Sequence, residues 1–261
     1  MKLNKQNNKP IYALDFDGVI CDSAIETAIT GWKVARKIWK DMPASPPSGA
    51  LIDRFRRVRP LLETGYEAII IMRLLYLKVT VESLLQDYSI QIQFCLEAKK
   101  LDITELKQLF GDMRDDWISQ SPQQWLEMNP LFKGVKQQLA TLTDSTWYII
   151  TTKQKRFVKQ ILQASEITID DTCIYAMEAK MSKQETLIKL SNKHSDKNII
   201  FIEDRFPTLL NISNNTQLKK IKLQLADWGY NTKSDKQRAQ QQGIEVISLN
   251  QLLAHSNKKD Y

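Results

Sequence analysis

Apolar positions follow two rhythms along this chain, and the change of rhythm divides it. Short, nearly unbroken apolar runs near residues 11–15, 146–151, 172–175, 198–203, 219–225 and 244–247 have the length and β-branched character of buried strands. Between the later runs, apolar residues recur every three or four positions, predicting helices over 155–164, 183–192, 207–213 and 236–242. Asp235 is the expected N-cap of the last helix and Gly243 its stop. Strand and helix therefore alternate beyond Thr146, the pattern of a parallel sheet covered by helices. The first two runs lie much further apart than a crossover helix requires, which calls for an inserted domain. Residues 23–126 have helical spacing throughout. Ile25, Ala28, Ile29, Trp32, Ala35, Ile38 and Trp39 mark one apolar face, and further helices are expected at 68–77, 81–86, 90–99, 103–110 and 112–120. Pro43, Pro46, Pro47 and Gly49 break the chain after the first helix. The expected division is 1–22 with 127–261 as one domain and 23–126 as the other.

The first apolar run ends in chemistry. In Tyr12-Ala13-Leu14-Asp15-Phe16-Asp17-Gly18, two carboxylates stand two residues apart and are followed by glycine. In a regular strand they would point to opposite faces, so they converge only where the strand breaks into a loop. Two acids brought together at the end of a buried strand need a cation or a shared proton. This segment resembles the first motif of the haloacid dehalogenase-like phosphohydrolases, an apolar strand followed by DxDG. Three further segments resemble that family's remaining motifs in the same order. They are Trp147-Tyr148-Ile149-Ile150-Thr151-Thr152-Lys153, Met181-Ser182-Lys183 at a helix start, and Asn198-Ile199-Ile200-Phe201-Ile202-Glu203-Asp204-Arg205.

The resemblance implies an α/β fold: a Rossmann-like parallel sheet core with an inserted α-helical cap. It implies that Asp15 attacks phosphorus and that Asp17 protonates the leaving oxygen and later activates water. Thr151 would hold a phosphoryl oxygen, and Lys183 would neutralise nucleophile and phosphate, with Lys180 as the competing lysine. Mg2+ would be held by Asp15, the backbone carbonyl of Asp17, Glu203 and Asp204. Many relatives carry a later acid in the fourth motif where this chain has Thr208, so the paired Glu203-Asp204 resembles the β-phosphoglucomutase-like variant. The overall pattern is similar to the phosphoglycolate phosphatase and β-phosphoglucomutase branch. Substrate contacts are expected from Thr152 and, in the cap, from Arg59, Glu63 and Arg73. Thr64 with Glu67 also reads as a helix start. The expected activity is Mg2+-dependent hydrolysis of a small phosphorylated metabolite through an aspartyl phosphate. The alternatives are a phosphomutase and a catalytically idle binding module for protein or RNA.

Charge and composition narrow the partners. Thirty-seven basic against 30 acidic residues leave a formal charge of +7, which attracts anions without naming one. The cluster Arg54-Phe55-Arg56-Arg57-Val58-Arg59 suits phosphates, but no nucleic-acid fold signature accompanies it, so nucleic acid is not the expected partner. No apolar run is long enough for a membrane span, and the polar start lacks the apolar stretch of a secretion signal, so a cytoplasmic protein is expected. Three widely spaced cysteines, with no CxxC pair, read as reduced thiols. Trp228 and Tyr230 follow the fifth strand and are candidates to line the site. His194 and His255 stand apart and receive no catalytic role.

Overall fold

A computed structural model describes residues 9–142 and 146–252; His255 lies outside them. The chain forms two compact units, 1–22 with 131–261 and 23–130. The second crossing falls four residues beyond the expected position, after Pro130.

Among the described residues, the first unit is built on six parallel strands: β1 Ile11–Leu14, β2 Trp147–Ile150, β3 Ile174–Tyr175, β4 Ile199–Glu203, β5 Lys222–Ala226 and β6 Glu245–Ile247. Their spatial order is β3-β2-β1-β4-β5-β6. β1 pairs on one side with β2, Leu14 opposite Ile149, and on the other with β4, Leu14 opposite Ile202. Every residue of β1, β2 and β4 is buried, which explains why these strands read as continuous apolar runs instead of alternating ones. The strand order reverses direction between β1 and β4. In such sheets, ligands gather beyond the strand ends at that point.

The insertion is helical: α1 Ala24–Ile38, α2 Gly49–Val58, α3 Glu67–Tyr76, α4 Val81–Lys99, α5 Ile103–Gln120 and α6 Pro122–Glu127. The first unit adds α7 Val135–Leu139, α8 Lys155–Ala164, α9 Lys183–Lys193, α10 Phe206–Ser213 and α11 Lys233–Gln241. The insertion has its own core, with Trp32, Phe55, Ile69, Leu75, Leu84 and Phe110 packed together. A buried charge hub stands among its helices. Glu26 is fully buried and accepts from both arms of Arg114 at 2.8 and 2.6 Å, from Thr30 Oγ1 at 2.7 Å and from Trp125 Nε1 at 3.2 Å.

α4 is two helical stretches, as expected at 81–86 and 90–99, joined across a kink where Asp87 leaves helical geometry (φ −121°, ψ 29°). Several elements differ from expectation. The helices expected at 103–110 and 112–120 join through the buried Gly111 as α5. α2 begins at Gly49 itself, capped by Ser48 Oγ accepting from Leu51 N–H, so the breaker-rich segment ends in a helix start. α11 begins at Lys233, two residues before Asp235. Thr232 is its N-cap, and Asp235 returns the bond at the third position, so the expected cap residue is the other half of a capping box. Gly243 closes that helix with φ +71°.

Part of the arginine cluster bonds within the insertion, while Arg56 and Arg57 stay exposed. Arg54 donates to the carbonyls of Leu75 and Val79, Arg57 pairs with Glu82 at 2.7 Å, and Arg59 is buried against the Leu62 carbonyl at 3.3 Å. The three cysteines are free thiols, Cys21 buried and Cys95 and Cys173 partly so. Among the described residues no helix is long and apolar enough to cross a membrane.

Candidate active site

Asp15 follows β1, Thr151 follows β2, and Glu203 ends β4, so three adjacent strands deliver side chains to the same edge of the sheet. Asp15, Glu203 and Asp204 each place a carboxylate oxygen within 4.8 Å of the others, and all three are buried, at 6 %, 0 % and 1 % exposure. Asp17, expected to offer its backbone carbonyl, does not add its side chain to this trio. Its Oδ1 lies 3.0 Å from Lys153 Nζ.

Lys183 bridges the acids, 2.9 Å from Asp15 Oδ1 and 2.6 Å from Glu203 Oε2. It is the first residue of α9, where a cation opposes the helix dipole. The capping box of Ser182 and Glu185 holds that turn, and the two carboxylates compensate the charge. Burial alone would lower the Lys183 pKa, but Asp15 and Glu203 outweigh it and raise it, so the lysine is a permanent cation here. Lys180, the competing lysine, is exposed in a left-handed turn at the end of a short 3-10 segment.

Burial raises the pKa of Asp15 from 3.8 to about 7. Lys183 pulls it down, while Glu203 and Asp17 push it up. The site therefore holds four carboxylates, Asp15, Asp17, Glu203 and Asp204, against the ammonium groups of Lys153 and Lys183. Buried carboxylates gathered this closely favour a positive charge among them. A hard divalent cation with oxygen ligands fits both that charge and that donor set.

Two glycines make room for Asp204. Gly18 has φ +92°, and a Cβ there would stand 2.0 Å from Asp204 Oδ2. A Cβ on Gly229 would stand 2.3 Å from Asp204 Cβ and 2.4 Å from the Gly18 carbonyl oxygen. The loop carrying Gly229 also fixes Asp204 by hydrogen bonds. Tyr230 N–H donates to its Oδ2 at 2.7 Å, and Asn231 Nδ2 donates to its carbonyl at 3.0 Å. Trp228 Nε1 donates to the Val19 carbonyl at 3.1 Å, and Tyr230 OH to Asp22 at 2.8 Å. These residues brace the site's acids and the loop after β1.

Thr151 is buried, and its Oγ1 accepts from Lys153 N–H at 3.1 Å; Thr152 is half-buried beside it. Arg205 donates its backbone N–H to Glu203 Oε1 at 3.1 Å, and its guanidinium lies 3.4 Å from Thr208 Oγ1. His194 is not isolated: its Nε2 lies 2.8 Å from the Tyr148 hydroxyl, and burial lowers its pKa.

Of the substrate contacts expected from the insertion, Arg59 and Arg73 bond within it. Arg73 pairs with Asp41 at 2.7 Å, and Arg59 caps the Leu62 carbonyl. Glu63 lends its backbone N–H to Glu67, whose carboxylate also accepts from Thr64 N–H, an arrangement that organises the start of α3. Lys153 closes the second motif in the sequence but received no role there, and the structure sets its ammonium beside Asp17. Its only signal was a cation placed directly after an apolar strand ending in hydroxyls.

No known protein-family pattern matches the sequence, and no curated protein matches it. Solved structures do. A predicted phosphatase from Clostridium acetobutylicum superposes with a TM-score of 0.57 at 16 % identity, over 94 % of this chain and 97 % of its own. A haloacid dehalogenase-like hydrolase from Streptococcus pneumoniae gives 0.55 at 16 % identity, over 96 % and 99 %. A predicted phosphoglycolate phosphatase from Haemophilus somnus gives 0.58 at 13 % identity, over 95 % and 98 %. The chain thus has the haloacid dehalogenase-like fold: a parallel α/β core interrupted by a helical insertion.

Proposed function

We propose that this protein is a Mg2+-dependent phosphatase that hydrolyses a small phosphorylated metabolite through an aspartyl phosphate on Asp15. The observation that carries the reading is the trio Asp15, Glu203 and Asp204, buried together at the sheet's switch point with Lys183 between two of them. Asp15, Glu203 and Asp204 would hold the metal, with the Asp17 carbonyl; when bound, the cation neutralises the charge gathered on the phosphoryl oxygens.

This chain's own residues do the rest. Asp15 attacks phosphorus, Lys183 favours its ionised form against the burial that opposes it, and Thr151 offers its hydroxyl proton to a phosphoryl oxygen. Asp17 gives a proton to the departing oxygen and then takes one from the attacking water. The likeness to solved phosphatases supports the fold on which this chemistry is placed, and the basic overall charge favours an anionic substrate.

The test is phosphate release from a panel of phosphorylated metabolites and p-nitrophenyl phosphate, with Mg2+ and with EDTA, for wild type and Asp15→Asn. Release that requires Mg2+ and disappears in the variant supports the reading and begins to name the substrate. No release from any compound refutes it.

A further inference from the structure

Lys153 is the one buried ammonium of the site that the mechanism above does not use. It lies two residues beyond Thr151, and its backbone is tied at both ends: N–H to Thr151 Oγ1 at 3.1 Å, and carbonyl to Met177 N–H at 3.2 Å. Its side chain is 1 % exposed, with Nζ 3.0 Å from Asp17 Oδ1 and 5.9 Å from the centre of the Phe16 ring. Burying an ammonium this completely is costly unless a counterion stands beside it, and Asp17 fills that place.

Asp17 has the complementary need. It sits in the loop after β1, immediately before Gly18 at φ +92°, and its side chain keeps 19 % exposure. A carboxyl group on such a loop has solvent-directed rotamers within reach. A donor on a rigid, buried stem selects among them.

We propose that Lys153 is a positioning residue for Asp17, holding Oδ1 so that Oδ2 carries the proton delivered to the leaving oxygen. The inference rests on the phosphatase reading. In the step concerned, a bond forms from Asp15 to phosphorus as the bond from phosphorus to the leaving oxygen breaks. The electron pair passes to that oxygen, which takes the proton from Asp17. In the second step water gives its proton back to Asp17 as its oxygen bonds phosphorus and Asp15 is released.

Leaving-group dependence exposes this role. A p-nitrophenolate departs without protonation, whereas an alkoxide needs the proton. Lys153→Met is expected to lower kcat/KM about 10- to 100-fold on an alkyl phosphate and less than about threefold on p-nitrophenyl phosphate. In an Asp17→Asn background the same change is expected to cost less than about twofold, because the group it positions is gone. Lys153→Gln retains an N–H donor and restores most of the alkyl phosphate activity; it also serves as the working variant if the methionine protein does not fold. Equal losses on both substrates, or a full loss persisting beside Asp17→Asn, overturn the inference and make Lys153 a scaffold or phosphoryl contact. A wild type inactive on every compound refutes the phosphatase reading and the inference with it. An active wild type with additive losses refutes only the inference.

Discussion

Asp15→Asn is expected to stabilise the metal-free protein, by an amount set by pH. Burial raises the Asp15 pKa from 3.8 to about 7 despite the ammonium of Lys183 at 2.9 Å. The unfolded chain gives up this proton near 3.8, while the folded chain holds it until about 7. Between those values the folded state binds more protons, so stability falls as pH rises through the window and levels off above it. That rise corresponds to about 4 kcal/mol carried against folding by the ionised carboxylate above pH 7. Asparagine has the shape of the neutral acid and escapes this cost.

Urea denaturation in EDTA should therefore show the variant more stable than wild type by about 3–4 kcal/mol at pH 8 and within about 1 kcal/mol at pH 4. Excess Mg2+ should reverse the order at pH 8, since only wild type keeps the full set of carboxylates to gain from the ion. A variant equal to or less stable than wild type at pH 8 in EDTA would refute the electrostatic account of the site.

Other consequences can be checked directly. Gly229→Ala forces a methyl group against Asp204 and the Gly18 carbonyl. It should weaken Mg2+ binding, read by calorimetry, by about 10- to 100-fold, whereas Gly49→Ala, with open space around it, should leave binding unchanged. Arg114→Met strips two donors from the fully buried Glu26 and should cost about 3–5 kcal/mol in denaturant unfolding. Replacing Glu26 by leucine in the same chain should recover much of that loss, and no recovery would show that packing, not the stranded charge, sets the cost.

The sheet and the edge of the site were legible from the sequence because both depend on local pattern. Buried parallel strands must be apolar along their whole length, so β1, β2 and β4 announce themselves, and the acids and hydroxyls that end them stand out by contrast. The same locality accounts for the misreadings. Gly111 looks like a helix break, but α5 runs through it, whereas Asp87 does leave helical geometry where the sequence pattern changes. Asp235 looked like a cap because one residue cannot show which half of a capping box it supplies.

What only the tertiary structure decided is which charges meet. Lys153 and Asp17, or Asp204 and the Tyr230 N–H, are far apart in sequence, and their pairing depends on strand order and loop path. Likewise, the arginines clustered at 54–59 resembled an anion-binding face until Arg54 and Arg59 were seen bonded to carbonyls of their own domain. Apolar periodicity is written residue by residue, because burial repeats with the geometry of helix and strand. The energy of a charge depends on what lies within a few ångströms and how much water is excluded, and folding alone sets both.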